Sequence, residues 1–408
     1  MASGFSRKKS TVARNFRLKA EATREWKERG RMTDHVAVQH ELEEKSARLL
    51  RVAKTAGVAG VLLGTHHNIA WITGGRSNRV DASREAGTAR LLFTADGRRR
   101  VLANAIEMPR LVEEVLAGLD FEPIEYPWTD DQDPGFAVAT ARKTIGDSSP
   151  LGADWPLPDT VPLEGVIARA RALLTDSEIE RYRALGRDAG RTLGNVCRTL
   201  TPGDQEVEIA RAVVHAVAGV RARAIVTLVG SDERLRRYRH PVATAARWKH
   251  VVMLALCAER DGLVVSLSRI VAAGAAPRDL DTRTQATATV FGRLLDATRP
   301  GATGAQLFTV ASNAYTAAGF PGEEQKHHQG GAIGYRAREW VAHPRSAEVV
   351  QPRQAFAWNP TITGSKIEDT ALLIDDRIDV ITSTPDWPAI PLNTRDRPLS
   401  ASGVWRLN

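Results

Sequence analysis

The fourteen residues Lys326-His-His-Gln-Gly-Gly-Ala-Ile-Gly-Tyr-Arg-Ala-Arg-Glu339 constrain this chain more than any other stretch. They gather two His, two Arg, one Glu and five small residues, three Gly and two Ala. Backbone stripped of side chains lets a substrate approach closely. Neighbouring imidazoles, guanidiniums and a carboxylate can then do proton chemistry.

The pattern around this segment reads as α+β. Residues 40–58 predict an amphipathic helix with Leu42, Leu49, Leu50 and Val52 inward. A short apolar run ends at His66-His67-Asn68. The alternation on either side of Ala95-Asp96-Gly97 predicts a hairpin, with a helix over roughly 107–118 after it. The Pro/Gly/Asp-rich stretch 127–161 predicts turns and a boundary near 160–175. Carboxylates in Asp176-Ser177-Glu178 favour a helix start there, running to about Leu200. Thr201-Pro202-Gly203 ends it and Asp204-Gln205-Glu206 begins another. Strands are expected at 224–229, 250–257 and 262–272, helices at 280–297 and 304–318, then strands at 354–358, 369–374 and 378–381. Residues 385–408 read as a tail wrapping the surface. The division that follows is a basic extension over 1–33, an α/β domain over 34–170, a larger domain over 171–390 and a tail over 391–408. No repeat of 20–50 residues is visible.

The formal net charge of +8 points toward nucleic acid, but its distribution argues against that partner. Residues 1–31 hold ten Lys/Arg and three Glu, leaving +1 on the rest of the chain. No apolar run reaches the ~20 residues a membrane span needs, and no signal peptide is visible. Cys197 and Cys257 share no metal-type spacing, so both read as free thiols in a reducing cytoplasm.

Several fragments, in order, resemble the creatinase, prolidase and aminopeptidase P family. His67-Asn-Ile-Ala-Trp-Ile-Thr-Gly74 is similar to a motif of its smaller N-terminal domain. Leu200-Thr-Pro-Gly-Asp-Gln-Glu-Val-Glu-Ile209, Tyr238-Arg-His-Pro241, His327–Glu339, Asn359-Pro360 and Glu368-Asp-Thr370 are similar to landmarks of its catalytic domain. The resemblance implies a pita-bread C-terminal domain behind a smaller creatinase-type α/β N-terminal domain. It also implies a homodimer in which one N-terminal domain completes the partner's site, with Arg76 or Arg79 as candidates for that role.

The family binds two divalent ions with two Asp, one His and two Glu. The matching positions here hold Ala255, Ser266, Gly331, Asn359 and Glu368. One carboxylate cannot hold a pair of hard cations, nor a Zn²⁺ that needs three or four protein ligands. No metal and no cofactor are therefore expected. The metal-free creatinase branch implies His240 as general base and then acid. Glu368 would orient the substrate or attack it, paired with His240 or His327. His327 faces the pocket, and alternation along an extended segment would turn His328 away. Arg338, Asn359, Gly331, Tyr335 and Glu339 complete the candidate substrate-binding set, with Arg336 a weaker member; Arg338 suits a substrate carboxylate. The function expected is metal-independent hydrolysis of a C–N bond in a small amino-acid-like amide, amidine or ureido compound. The alternatives are a non-catalytic pita-bread interaction module, a metal-free lyase, or a metallo-aminopeptidase with relocated ligands.

Overall fold

The computed structural model describes residues 35–146, 149–395 and 397–407. The basic extension expected over 1–33 lies outside them. Helix α1 (His35–Ala56) buries Leu42, Leu49 and Val52 as its spacing requires, while Leu50 is half-buried. Strand β1 (Gly60–Thr65) runs directly into α2 (His66–Ile72). Strands β2 (Ala86–Thr94) and β3 (Arg99–Asn104) form the expected antiparallel hairpin. The helix expected over 107–118 is a single turn, α3 (Met108–Arg110), that widens into a π-turn over Leu111–Val115. Strand β4 (Glu122–Tyr126), helix α4 (Phe136–Ile145) and strands β5 (Leu151–Ala153) and β6 (Thr160–Pro162) finish a mixed sheet of order β4-β3-β2-β1-β5-β6. The stretch 127–161 thus contributes helix α4, strand β5 and the start of the edge strand β6, not turns alone.

Helix α5 (Glu164–Arg171) leads into the larger domain. Helix α6 (Asp176–Arg198) opens on a capping box. The Glu178 N–H donates to the Thr175 hydroxyl at 3.2 Å and the Thr175 N–H donates to the Glu178 carboxylate at 2.7 Å. Helix α7 (Glu206–Gly219) follows the Thr-Pro-Gly break. Strands β7 (Arg223–Ser231), β8 (Val251–Arg260) and β9 (Leu263–Ala273) form an antiparallel meander, with helix α8 (Asp232–Arg237) between β7 and β8.

Helices α9 (Leu280–Ala297) and α10 (Gly304–Ala317) precede a second antiparallel sheet. It contains β10 (Gly330–Ile333), β11 (Gln354–Trp358), β14 (Asp369–Ile374) and β15 (Arg377–Val380). The short hairpin β12 (Thr361–Ile362) and β13 (Ser365–Lys366) lies between β11 and β14. One apolar core joins α6 and α7 to the first sheet, and a second joins α9 and α10 to the second sheet. Two sheets, each backed by a helix pair, are the pita-bread arrangement.

The tail does not simply wrap the surface. Strands β16 (Ala389–Leu392) and β17 (Leu399–Ser402) pair with each other, and β18 (Val404–Leu407) adds to β9 as a parallel edge strand. The unpaired edge of β9 needs a partner for its backbone groups. Trp387 and Trp405 stack with ring centroids 5.4 Å apart to hold the added segment. No described helix is long and apolar enough to cross a membrane.

Candidate active site

The two sheets of the larger domain meet where β9 runs beside the start of β14. The Ser266 N–H donates to the Thr370 hydroxyl at 2.8 Å, and that hydroxyl donates back to the Ser266 carbonyl at 2.9 Å. The Ser268 N–H donates to the Glu368 carbonyl at 2.9 Å. This seam presents Ser266 and Glu368 side by side, and three further segments converge on it.

The first is the loop after α8, which carries His240. Pro241 seats it against β7, where Gly230 leaves room: a Cβ there would stand 2.3 Å from the proline ring. Arg239 ties the same loop to two others. Its guanidinium donates to Glu323 at 2.5 Å, to Thr361 at 3.1 Å and to Thr363 at 2.8 Å. The second segment is the 3-10 turn Glu323–Gln325 and the residues after it, His327 and His328. Gln329 fixes them: its amide donates to the His327 carbonyl at 2.5 Å and its oxygen accepts from Tyr315 at 2.8 Å. The third is the β12–β13 hairpin with Lys366.

Three imidazoles therefore cluster. His327 Nε2 and His240 Nε2 lie 2.9 Å apart, which requires one to donate and the other to accept. His327 and His328 stack at 4.4 Å, and His240 lies 5.9 Å from His328 between ring centroids. His328 is not turned away as alternation predicts, because the backbone bends at 326–327 before β10 begins. His327 is buried and His240 is exposed. Burial, and then the positive charge of Lys366, holds His240 and His327 below the usual imidazole range. Burial and the charge of Arg338 push His328 down to about 4. All three are neutral near pH 7.

Glu368 pairs with neither His240 nor His327. It accepts from Arg338 Nη2 at 3.0 Å and contacts Lys366 Nζ at 3.4 Å. Burial opposes its ionisation, but Lys366 and Arg338 outweigh that and hold its carboxyl below the usual range. Lys366 is buried, and burial lowers its ammonium's affinity for a proton against the pull of Glu368. Arg338 also donates to its own neighbour's carbonyl, Ala337, at 2.5 Å and reaches Ser266 Oγ at 3.4 Å. Its two terminal nitrogens are engaged by the protein, while its Nε is buried without a partner. Asn359 is buried, its N–H donates to the Gln329 carbonyl at 3.0 Å, and its side-chain oxygen has no partner.

The other expected members lie elsewhere. Tyr335 donates its hydroxyl to Glu178 at 2.7 Å inside a buried network between the domains. Glu339 binds Arg171 at 3.1 and 2.5 Å and accepts from the Tyr335 N–H at 3.0 Å. Arg336 faces Glu85 at 3.4 Å and Glu164 at 3.5 Å. Gly331 presents no open space: a Cβ on it would meet the Trp340 carbonyl oxygen at 2.2 Å. His66 is bonded to Asn78 at 2.8 Å and His67 to Glu164 at 3.1 Å. Arg76 donates to the carbonyls of Val115 and Ala117 at 3.0 and 2.8 Å, closing the π-turn. Arg79 lies 4.0 Å from Glu259. Cys197 is buried, its thiol pushed up to about 12 by burial. Cys257 Sγ lies 3.2 Å from Ser266 Oγ at the seam.

Lys366, Arg239 and Gln329 are absent from the expected set. Lys366 had a legible signal, since positions two apart in an extended run share a face, and Glu368 is two residues on. A pair of divalent ions does not fit this donor set. Of the five aligned positions only Glu368 is a carboxylate, two side-chain cations already share it, and backbone fills the direction a His at 331 would take.

Comparison with known proteins gives the same frame. Residues 180–375 match the model of metallopeptidase family M24. The "Probable dipeptidase PepE" of Mycobacterium tuberculosis is 25% identical over 370 residues, 84% of this chain and 96% of that protein. The "Xaa-Pro dipeptidase" of Lactobacillus delbrueckii subsp. lactis is 25% identical over 260 residues, 61% of this chain and 70% of that protein. The solved dipeptidase PepE from Mycobacterium ulcerans superposes with a TM-score of 0.71 at 18% identity, covering 85% of this chain and 97% of that one.

Proposed function

Because this chain belongs to the creatinase, prolidase and aminopeptidase P family, yet lacks the donor set for the family's metal pair, we propose that it is a metal-independent hydrolase. Its substrate is a small amino-acid-like compound with an amide, amidine or ureido C–N bond. The observation that carries this reading is the contact of His240 Nε2 with His327 Nε2 at 2.9 Å beside a charged Arg338–Glu368–Lys366 triad.

With the shared proton on His240 Nε2, His240 Nδ1 is the open lone pair. His240 is exposed, so water reaches it. That nitrogen takes a proton from the attacking water and returns it to the leaving nitrogen. His327 acts on His240 by fixing its tautomer and is itself held neutral. Glu368, ionised and doubly paired, suits neither proton transfer nor attack; it positions the two cations. The exposure of Tyr238 and Val242 beside His240, 47% and 68%, supports a covering partner, namely the N-terminal domain of a second subunit.

Chelator-treated protein is screened against small amides, amidines and ureido compounds, with His240→Ala in parallel. Turnover should survive chelation and fall about 10²–10⁴-fold in the variant. Turnover unaffected by His240→Ala, or two tightly bound ions per subunit, would sink the reading.

A further inference from the structure

Two cations share one carboxylate at the seam. Arg338 and Lys366 both bind Glu368, at 3.0 and 3.4 Å, and the imidazoles around them are neutral. One positive charge is left without a counter-ion in a buried place, since Lys366 is 5% exposed and Glu368 5%. A buried charge without a partner is costly. An ammonium carries three donors, and the contact with Glu368 engages one. Arg338, which shares Glu368 with Lys366, has an Nε without a partner, and Asn359 Oδ1, His327 Nδ1 and His328 Nδ1 on the converging segments have none either. Buried polar groups are ordinarily hydrogen-bonded, so these atoms are available to a ligand or to the water it would displace.

The three imidazoles offer nitrogens within 4.8 Å of one another, a spacing that invites a transition-metal ion. The electrostatics oppose it. The same Lys366 and Arg338 charges that depress the imidazoles repel a dication, and an anion gains from both.

We propose that Lys366, supported by Arg338, is the receptor for a single substrate carboxylate, the fixed side-chain cations standing where relatives of this fold would place metal. Lys366 Nζ and Arg338 Nε donate to the carboxylate, and Asn359 Oδ1 accepts from the N–H of the bond beside it. The proposal rests on the hydrolase reading for its substrate class. It narrows that class to acyl-amino acids and ureido acids with a free carboxylate.

The test is calorimetric titration of the full chain with N-acetylglycine and with its uncharged analogue N-acetylglycinamide. The acid should bind at least tenfold more tightly than the amide. Lys366→Met should abolish that preference and Lys366→Arg should restore part of it. Glu368→Gln removes the internal counter-ion while keeping the shape, and should tighten acid binding at least threefold. Equal binding of acid and amide, or of neither, overturns the proposal, as does sulfate competing as well as the acid. An unchanged preference in Lys366→Met overturns it too; if that variant does not fold, the sign of the Glu368→Gln effect decides alone. A stoichiometric transition-metal ion, retained by wild type and lost in His240→Ala, would assign the cluster to a metal instead. None of these arms needs turnover. Carboxylate binding without any hydrolysis would remove the hydrolase reading and leave the receptor standing.

Discussion

Single residues decide whether this pocket can be returned to the chemistry of its relatives. The plainest reversal is Gly331→His, which restores an imidazole to the position aligned with the family's metal ligand. It should fail. The new Cβ meets the Trp340 carbonyl oxygen at 2.2 Å, a backbone atom that cannot swing aside. Overpacking of that kind costs about 1–3 kcal/mol, so chemical denaturation should show a loss of that order with no metal gained by elemental analysis. The imidazoles make a second prediction. His328 is pushed down to about 4, so the folded protein refuses a proton that the unfolded chain accepts below 6.5. Stability should be unaffected by this group above pH 6.5 and fall as pH drops toward about 4. Urea midpoints across that window should flatten in His328→Gln. The catalytic rate should fall on the same acidic side, since His240 works as a neutral base and is likewise held below its usual range. His240, His327 and Glu368 were legible in the sequence, each sitting at a motif position, whereas His328 was expected to turn away and joins the cluster through the bend at 326–327. Lys366 carried only the signal of its two-residue spacing from Glu368, and a lysine reads as solvated surface until the fold buries it.

Short elements do the aligning, and they were the hardest to read. The long helices and strands follow from periodicity and punctuation, as α6, α9, α10, β8 and β9 show. The β12–β13 hairpin has two residues per strand, and the 3-10 turn has three, too few for any period to register. Yet these two, with the loop of His240, set the distance between His240 and His327. Arg239 is their common tie, through Glu323, Thr361 and Thr363. Arg239→Met keeps the aliphatic stem and removes all three bonds. Leaving Glu323 short of its partner should cost about 1–3 kcal/mol. Activity should suffer more than stability, with kcat falling at least tenfold while the melting temperature shifts by a few degrees. A variant that loses stability but keeps kcat would make Arg239 purely structural. The tail teaches the same lesson in reverse. Its pairing with β9 depends on an edge that only the folded sheet creates, so its strand could not be read locally.

At the scale of the whole molecule, the two domains are joined by buried charge as well as by apolar packing. Lys45 of α1 is fully buried and contacts Glu41 of its own helix and Glu178 of α6, the latter at 2.7 Å. Arg181 of α6 binds Glu41 bidentately at 2.9 and 2.8 Å, and Tyr335 closes the ring onto Glu178. Burial opposes the ionisation of Glu41, but Arg181 and Lys45 bring it down to about 2. Its contribution to stability is thus present above pH 4.5 and is lost only as pH falls toward about 2. Such a network is weak evidence of net stability compared with an apolar core, but breaking it by one member is severe. Lys45→Met leaves Glu178 buried without its cation, while Glu41 keeps Arg181, and should destabilise by about 3–5 kcal/mol. Because the charge spans the domain boundary, the loss should appear as decoupling: unfolding followed by tryptophan fluorescence and by far-UV circular dichroism should no longer coincide. Adding Glu178→Gln removes the stranded charge and should recover a large part of the loss. Recovery would show that the lysine serves to neutralise Glu178, whereas no recovery would mean that its packing under Trp71 and Tyr335 is what holds the domains together.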